Sequence, residues 1–468
     1  MTNPDPAADA PVTSPAVGFT GRRRERTTKA SVKWADRVAS ALISVGGIGT
    51  ILAIFGVGLV LVWQVVPLFT PGELETPSTL TGGGSVDTPA TEAPAVPVDG
   101  ESDDAAVDPA APPVRFAVDE FADAAAIVAA DGAVTALDAR TGAVLGTRSL
   151  SDAPPTAVAA AADGEMVVYG FADGSIRLGT VRFASAFRSA DSLPATVRKL
   201  KEGATAAIPG EGDDAVGAIS EATRGGRFRV QTVRGELGEE THSLGAGPVR
   251  ALGVFESRSG PAVAGWVEGE GLKLLPFRRS GSALTAGDVA TLTIPDDANV
   301  PAGPPAFVRV AARVSEVIAA WPNGAAVRFN TRNKRNPSFS EALRLVPEGR
   351  TLTALAWVTG RGTLLVGDDG GGLTGWFPSR GEATGGTRAL VEAKRYPDGP
   401  AAVTAIGPSS VDRLAAIAYA DGTARVVQTT VENVVGETQL AGPASAVTLT
   451  PRSDRSFLYA LSAKNGER

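Results

Sequence analysis

The sequence predicts a mostly β protein, with a single N-terminal transmembrane helix followed by a β-propeller of about seven blades. Three observations predict it. The chain is 43% hydrophobic yet only 6% aromatic, with 55 Gly and 33 Pro, so its apolar character is built from Ala, Val and Leu and is interrupted by frequent turn residues. One uncharged run is longer than the ~20 apolar residues that cross a bilayer. Beyond it, turns of the Asp-Gly or Asn-Gly type recur at a nearly constant interval. At 468 residues length alone would suggest about three domains, but the repeat gathers most of the chain into one ring.

Composition excludes many chemistries. There is no Cys, one His and two Met, which removes disulfide frameworks, thiolate metal sites, Cys nucleophiles and His-rich constellations. With 44 basic and 51 acidic residues the net charge is −7, unlike the concentrated basic surface that nucleic-acid binding requires. The expectation is a binding or scaffolding module and not an enzyme, with no cofactor and no metal.

The first element is a basic tail over 1–37, in which Arg22, Arg23, Arg24, Arg26, Lys29, Lys33 and Arg37 outnumber Glu25 and Asp36. No residue between Arg37 and Glu73 is charged, which predicts a transmembrane helix over 38–69. A cleaved signal peptide has an apolar region of only ~7 to 15 residues, about half this run. Downstream, no Lys or Arg occurs until Arg115, so the positive-inside rule places the N-terminus in the cytoplasm and the remainder outside. Trp34 and Trp63 are spaced to sit in the two interfacial belts, ~44 Å apart along a helix. Gly46, Gly49, Ala53 and Gly56 offer a small-residue face to another helix, although glycine is common in membrane helices in any case. Residues 70–113, rich in Pro, Ala, Thr and acids, predict a disordered linker unable to bury enough apolar surface to fold.

From 114 to 468 a unit recurs: an apolar run, a turn with Gly, and an alternating run. Clear copies surround Asp131-Gly132, Asp173-Gly174 and Asp421-Gly422; weaker ones surround Gly225-Gly226, Glu270-Gly271, Asn323-Gly324 and Asp369-Gly370. Asp-Gly and Asn-Gly between alternating runs predict two-residue type I′ hairpins. Successive turns lie 42 to 53 residues apart, the period of four-stranded propeller blades of the WD40 or quinoprotein type. In the first unit AAIVAA, AVTALD and AVLGTRSL read as second, third and outer strands. TALAWVTGRG, VTAIGPSSVDR and AVTLTPRSDR read as inner first strands. The final FLYALSAKNGER reads as an eighth, partial unit, with the expectation that the sequence is the front part of a longer protein.

Candidate chemical groups are few. Asp213-Asp214, Asp296-Asp297 and Asp368-Asp369 could serve acid–base or metal chemistry, but each sits at a turn where a solvated loop explains it. The stretch GDDGGG from Gly367 lacks the Lys-Ser/Thr or closing Glu of a phosphate or calcium loop. His242 has no second His or Cys to converge with. Arg332, Lys334 and Arg335 form a basic spot on an inter-strand loop, open to a partner or an anionic lipid. Trp266, Trp321 and Trp357 are expected to pack blades.

The segment RTTKASVKWADRVASALISVGGIGTILAIFGVGLVLVWQVVPLF and the final AVTLTPRSDRSFLYALSAKNGER resemble the N-terminal half of large-form phosphate ABC-transporter permeases. In that family a periplasmic propeller-like domain follows the first transmembrane helix. The resemblance implies a periplasmic docking or regulatory module in inorganic phosphate import, in the inner membrane. Its implied partners are a second permease subunit, an ATPase subunit and a periplasmic phosphate-binding protein. No second run after Phe69 is long and apolar enough to span, so the family's channel-forming helices have no counterpart here and no phosphate-contacting residue carries over. Two alternatives stand beside it. One is a stand-alone anchored scaffold for envelope assembly: TALDARTGAVLG resembles the quinone-enzyme-like repeat, without its closing tryptophan. The other is a ligand sensor using the propeller's central channel.

Overall fold

A computed structural model of the chain describes residues 29–65, 77–78, 111–161, 165–311, 315–358, 362–380, 388–452 and 457–462, with side chains of the helix given up to Val60. The chain divides into two compact units at Pro71/Gly72.

The first unit holds α1 (Ala30–Val65), 36 residues long and apolar enough to span a membrane over its described part. It starts eight residues before the predicted Val38. Charge marks where a bilayer would end, whereas helix formation continues through Ala30–Arg37, which contains neither Pro nor Gly to stop it. Trp34 and most of the large apolar side chains from Val38 to Val60 are exposed. Of the predicted linker over 70–113, only Pro77, Ser78 and the stretch from Ala111 onward are described, so that expectation lies almost wholly outside the described residues.

The second unit is a succession of antiparallel sheets. The first sheet runs β1 (Pro113–Val118), β2 (Ala124–Ala129), β3 (Ala133–Asp138), β4 (Val144–Ser149). The second contains β5 (Ala157–Ala160), β6 (Met166–Gly170), β7 (Ser175–Ser189), β8 (Thr205–Ile208), β9 (Ala215–Ala222) and β10 (Arg227–Ser243), in the spatial order β5-β6-β7-β10-β9-β8. The third comprises β11 (Val249–Phe255), β12 (Ala262–Val267), β13 (Gly271–Ser280), β14 (Ala283–Ala286) and the short β15 (Ala290–Thr291). The fourth is β16 (Phe307–Val310), β17 (Glu316–Ala320), β18 (Ala325–Asn330), β19 (Ser338–Arg344). The fifth is β20 (Leu352–Trp357), β21 (Leu364–Asp368), β22 (Leu373–Arg380), β23 (Arg388–Arg395), and the sixth is β24 (Val403–Pro408), β25 (Leu414–Tyr419), β26 (Thr423–Gln428), β27 (Asn433–Gln439). The described residues end with the two-stranded β28 (Ala444–Leu449) and β29 (Leu458–Ser462).

Burial explains the sequence pattern of these strands. Second strands such as β2, β6, β17 and β21 are buried at every position. They read as continuous Ala, Val and Leu runs because both faces meet another sheet. Outer strands such as β4, β19 and β27 alternate or are mostly exposed. Alternate residues feed two different cores. Ala124, Ala126 and Val128 join Val167, Tyr169 and Val233 of the second sheet, whereas Ala125 faces a cluster that includes Tyr459 on β29.

Similar cores lie between each consecutive pair of sheets, from the second through to the last. The first strands follow the same cycle: β1 touches β5, and contacts pass through β11, β16, β20 and β24 to β28, which returns to β1. Close approach of these strands requires glycine. A Cβ on Gly407 of β24 would collide with the Val447 carbonyl oxygen of β28, and one on Gly253 of β11 with the Val308 carbonyl of β16.

Two sequence expectations change here. The Gly225-Gly226 turn does not open a unit of its own. It joins β9 to β10 in a long extension of the second sheet, where β7 pairs with β10 along most of its length. That extension has its own small core of Leu193, Val197, Ala222, Phe228 and Val230, and β9 and β10 pack on the first sheet. Once these strands are returned to the second sheet, the segment expected as an eighth unit becomes the seventh sheet; Asn465 and Gly466 lie outside the described residues.

Candidate functional site

The predicted turn residues define local geometry. Asp131-Gly132, Asp173-Gly174, Asn323-Gly324 and Asp421-Gly422 all join second to third strands. Only the glycine has positive φ in each: +87°, +80°, +82° and +88°. Its N–H donates to the carbonyl three residues back, as Gly132 does to Ala129 at 3.0 Å. The expected type I′ turn requires positive φ at both central residues. These are type I turns followed by a left-handed glycine, and the Asp or Asn side chain stabilises them. Oδ1 of Asp131, Asp173, Asn323 and Asp421 accepts the N–H two residues on, at 2.9 to 3.1 Å. In the fifth sheet the pattern is displaced by one residue: Gly371, with φ +85°, takes the glycine role expected of Gly370. Asp368 instead holds the turn, accepting from Gly370 and Gly372 at 2.8 Å.

Gly46, Gly49, Ala53 and Gly56 lie along one face of α1, at spacings of three and four residues. Beyond the adjoining residues and the helix's own backbone, no atom lies within 4 Å of a Cβ placed at Gly46, Gly49 or Gly56, and Ala53 is exposed. The Trp63 side chain lies outside the described residues.

The charged candidates lie on separate elements. Asp214 pairs with Arg234 and, at 3.9 Å, with Arg182, while the Asp213 carbonyl accepts from Arg148. Asp296 and Asp297 lie in a short 3-10 turn. His242 is buried on β10 with its ring edge-on to Phe277 at 4.9 Å. Arg332, Lys334 and Arg335 occupy the β18–β19 connection. Trp266 and Trp321 meet at 6.3 Å between the third and fourth sheets, and Trp321 Nε1 donates to the Gly303 carbonyl at 2.8 Å. Among the described residues no group of three or more His, Asp or Glu could hold a metal ion.

The feature with the geometry of a binding site is a cavity of about 530 Å³, within the range of small-ligand pockets. It is lined by β1, β5, β11, β16, β20, β24 and β28, the strands that follow one another in a cycle. Small apolar residues dominate its wall, and the hydroxyls of Thr353 and Thr404 are spent on the Gly367 and Ala444 carbonyls. The charged residues that line it are Arg115, Glu165 and Arg309. Arg309 extends from β16 to β20, where Nε donates to the Leu355 carbonyl at 3.0 Å, and Nη1 donates to its neighbour's carbonyl, Val308, at 3.1 Å. Burial holds its pKa down, to about 10, because desolvation penalises the charged form. Sequence reasoning did not single out Arg309: one Arg in an alternating strand resembles any solvent-facing position.

No known protein family's sequence profile matches the chain, and no curated protein is significantly similar to it. Among solved structures it is similar to a computationally designed protein, Ika8, at 14% identity over 75% of this chain and 93% of that one, with a TM-score of 0.39.

Proposed function

We propose that the chain is a membrane-tethered seven-bladed β-propeller that acts as an extracytoplasmic docking or regulatory module in inorganic phosphate import. The observation that carries the propeller reading is the cyclic succession of first strands around one cavity, with a shared core between each neighbouring pair of sheets. A blade cannot bury both faces alone, so stacking and closure supply its stability. The tether reading is supported by an exposed apolar helix next to the basic N-terminal flank, which favours a cytoplasmic N-terminus in an inner membrane. The assignment to phosphate import rests on the resemblance of the helix segment and the final 23 residues to phosphate permeases. The second permease subunit, the ATPase and the periplasmic phosphate-binding protein are the corresponding partners.

The test is affinity purification of the full chain from crosslinked membranes, alongside a variant lacking 114–468, with phosphate uptake measured in the same cells. Transporter subunits are expected with the full chain, with reduced capture and uptake for the deletion. Unchanged uptake, with envelope-assembly proteins captured instead, would replace this reading by the stand-alone scaffold.

A further inference from the structure

We propose that the central cavity is a binding site for a small oxygen-bearing anion, an oxyanion or a carboxylate, with the Arg309 guanidinium as its cation. The inference goes beyond the docking role and does not depend on it.

Two other arginines held within the sheets show what is unusual about Arg309. Arg328 contacts Glu316 at 3.2 Å and Glu341 at 2.6 Å. Arg229 reaches Asp123 at 2.8 Å and also pairs with Glu221. Both follow the rule that a charge removed from water needs a countercharge. Arg309 lies among the innermost strands, surrounded by protein, with its side chain open in part to the cavity. Among the described residues no carboxylate pairs with it: its recorded acceptors are two neutral carbonyls, and the Phe307 ring lies 5.4 Å from the guanidinium. Those bonds occupy Nε and one hydrogen of Nη1. Both hydrogens of Nη2 and the second on Nη1 remain, the fork that binds carboxylate or tetrahedral oxyanions through two parallel N–H bonds. The side chain lines a cavity large enough for such an ion with its water.

A second donor without an acceptor lies on β20, one of the strands that line the cavity. The indole Nε1–H of Trp357, on β20 two residues beyond the Leu355 carbonyl that Arg309 reaches, is buried without a hydrogen-bond partner. An unpaired buried donor is costly, and the ring that carries this one packs in the core between the fourth and fifth sheets. Glu165 is exposed and Arg115 is part-buried, its Nη1 donating to the Val181 carbonyl at 3.3 Å. Among the described residues, the charged groups that line the cavity are two arginines and one glutamate.

The test uses the purified full chain in detergent, titrated calorimetrically with sodium phosphate, sulfate and acetate, with chloride holding ionic strength constant. Saturable binding of at least one anion is expected, accompanied by a rise in thermal midpoint. Phosphate or sulfate binding in preference to acetate identifies an oxyanion site, and the reverse a carboxylate site. Arg309→Met should raise Kd at least ~10-fold, and Arg309→Lys, which keeps the charge but loses the fork, should raise it less. Absence of saturable binding by all three anions up to about 10 mM overturns the proposal, as does an unchanged Kd in Arg309→Met. Should the Met variant fail to fold, Arg309→Lys decides: an altered Kd supports the site and an unaltered one overturns it. These outcomes are separate from partner capture and phosphate uptake, so either reading can fail alone.

Discussion

Tyr396 shows how a single side chain ties two sheets together. It follows β23, is 2% exposed, and its hydroxyl donates to the Gln428 carbonyl of β26 at 3.1 Å. Burial, with a smaller contribution from Glu432, pushes its pKa up to about 12, since the phenolate would lose its hydration. The raised value means that this contribution is fully present below the unfolded pKa of about 10 and is lost as pH rises towards 12, at about 1.4 kcal/mol per pH unit. Tyr396→Phe should cost about 1 kcal/mol at pH 7 and make the alkaline loss of stability shallower by about one proton; urea unfolding at pH 7 and 11 measures both. The residue scale also shows why the Asp-Gly dipeptides located the hairpins correctly but not their type. Both candidate turns need a glycine with positive φ, and only the neighbouring residue's backbone distinguishes them. Asp131 satisfies either one in sequence, and in the folded chain its carboxylate accepts from Ala133.

At the scale of elements, β17, β18, β19 and β23 are joined by an ion network that their sequences do not announce. Arg328, 2% exposed, lies between Glu316 and Glu341, and Arg388 adds a contact to Glu316 at 3.4 Å. The Leu390 N–H also donates to Glu341 at 2.8 Å, which links the fourth and fifth sheets. Removing one partner strands a buried charge, so Arg328→Ala should destabilise by about 3–5 kcal/mol. The combined change Arg328→Met, Glu316→Leu and Glu341→Gln should recover much of that loss, because no carboxylate of the network is then left without its countercharge. Chemical denaturation of the wild type and the two variants checks the ordering. Strand positions were largely legible from apolar runs bounded by Gly and Asp. The pairing of charges was not, because Glu316 and Arg388 are 72 residues apart and meet only when two sheets stack.

On the scale of the whole molecule, the decisive contact is between the first and last sheets of the cycle. Tyr459 packs beside Phe116, Leu137 and the buried Val118 and Ala125, so residues more than 300 positions apart share one core. Tyr459→Ala should cost about 2 kcal/mol, less than truncation of a fully buried aromatic. Because each sheet depends on its neighbours, the whole unit should respond: the urea midpoint is expected to fall with an unchanged slope. A separate early transition would instead show that this seam opens independently.

The sequence by itself determined the apolar helix, the β character, the repeat and the places where the chain turns, because each depends on residues close together in the chain. Tertiary structure alone decided which strands share a sheet. It returned β8, β9 and β10 to the second sheet and made β28 and β29 the seventh, since hydrogen bonding between distant strands leaves no local periodicity. It also decided which arginines would be paired and which would not. Arg309 and Arg328 are alike in sequence, each a lone Arg in a short apolar strand. One faces two carboxylates and the other a cavity, and the difference arises only when strands distant in the chain come together.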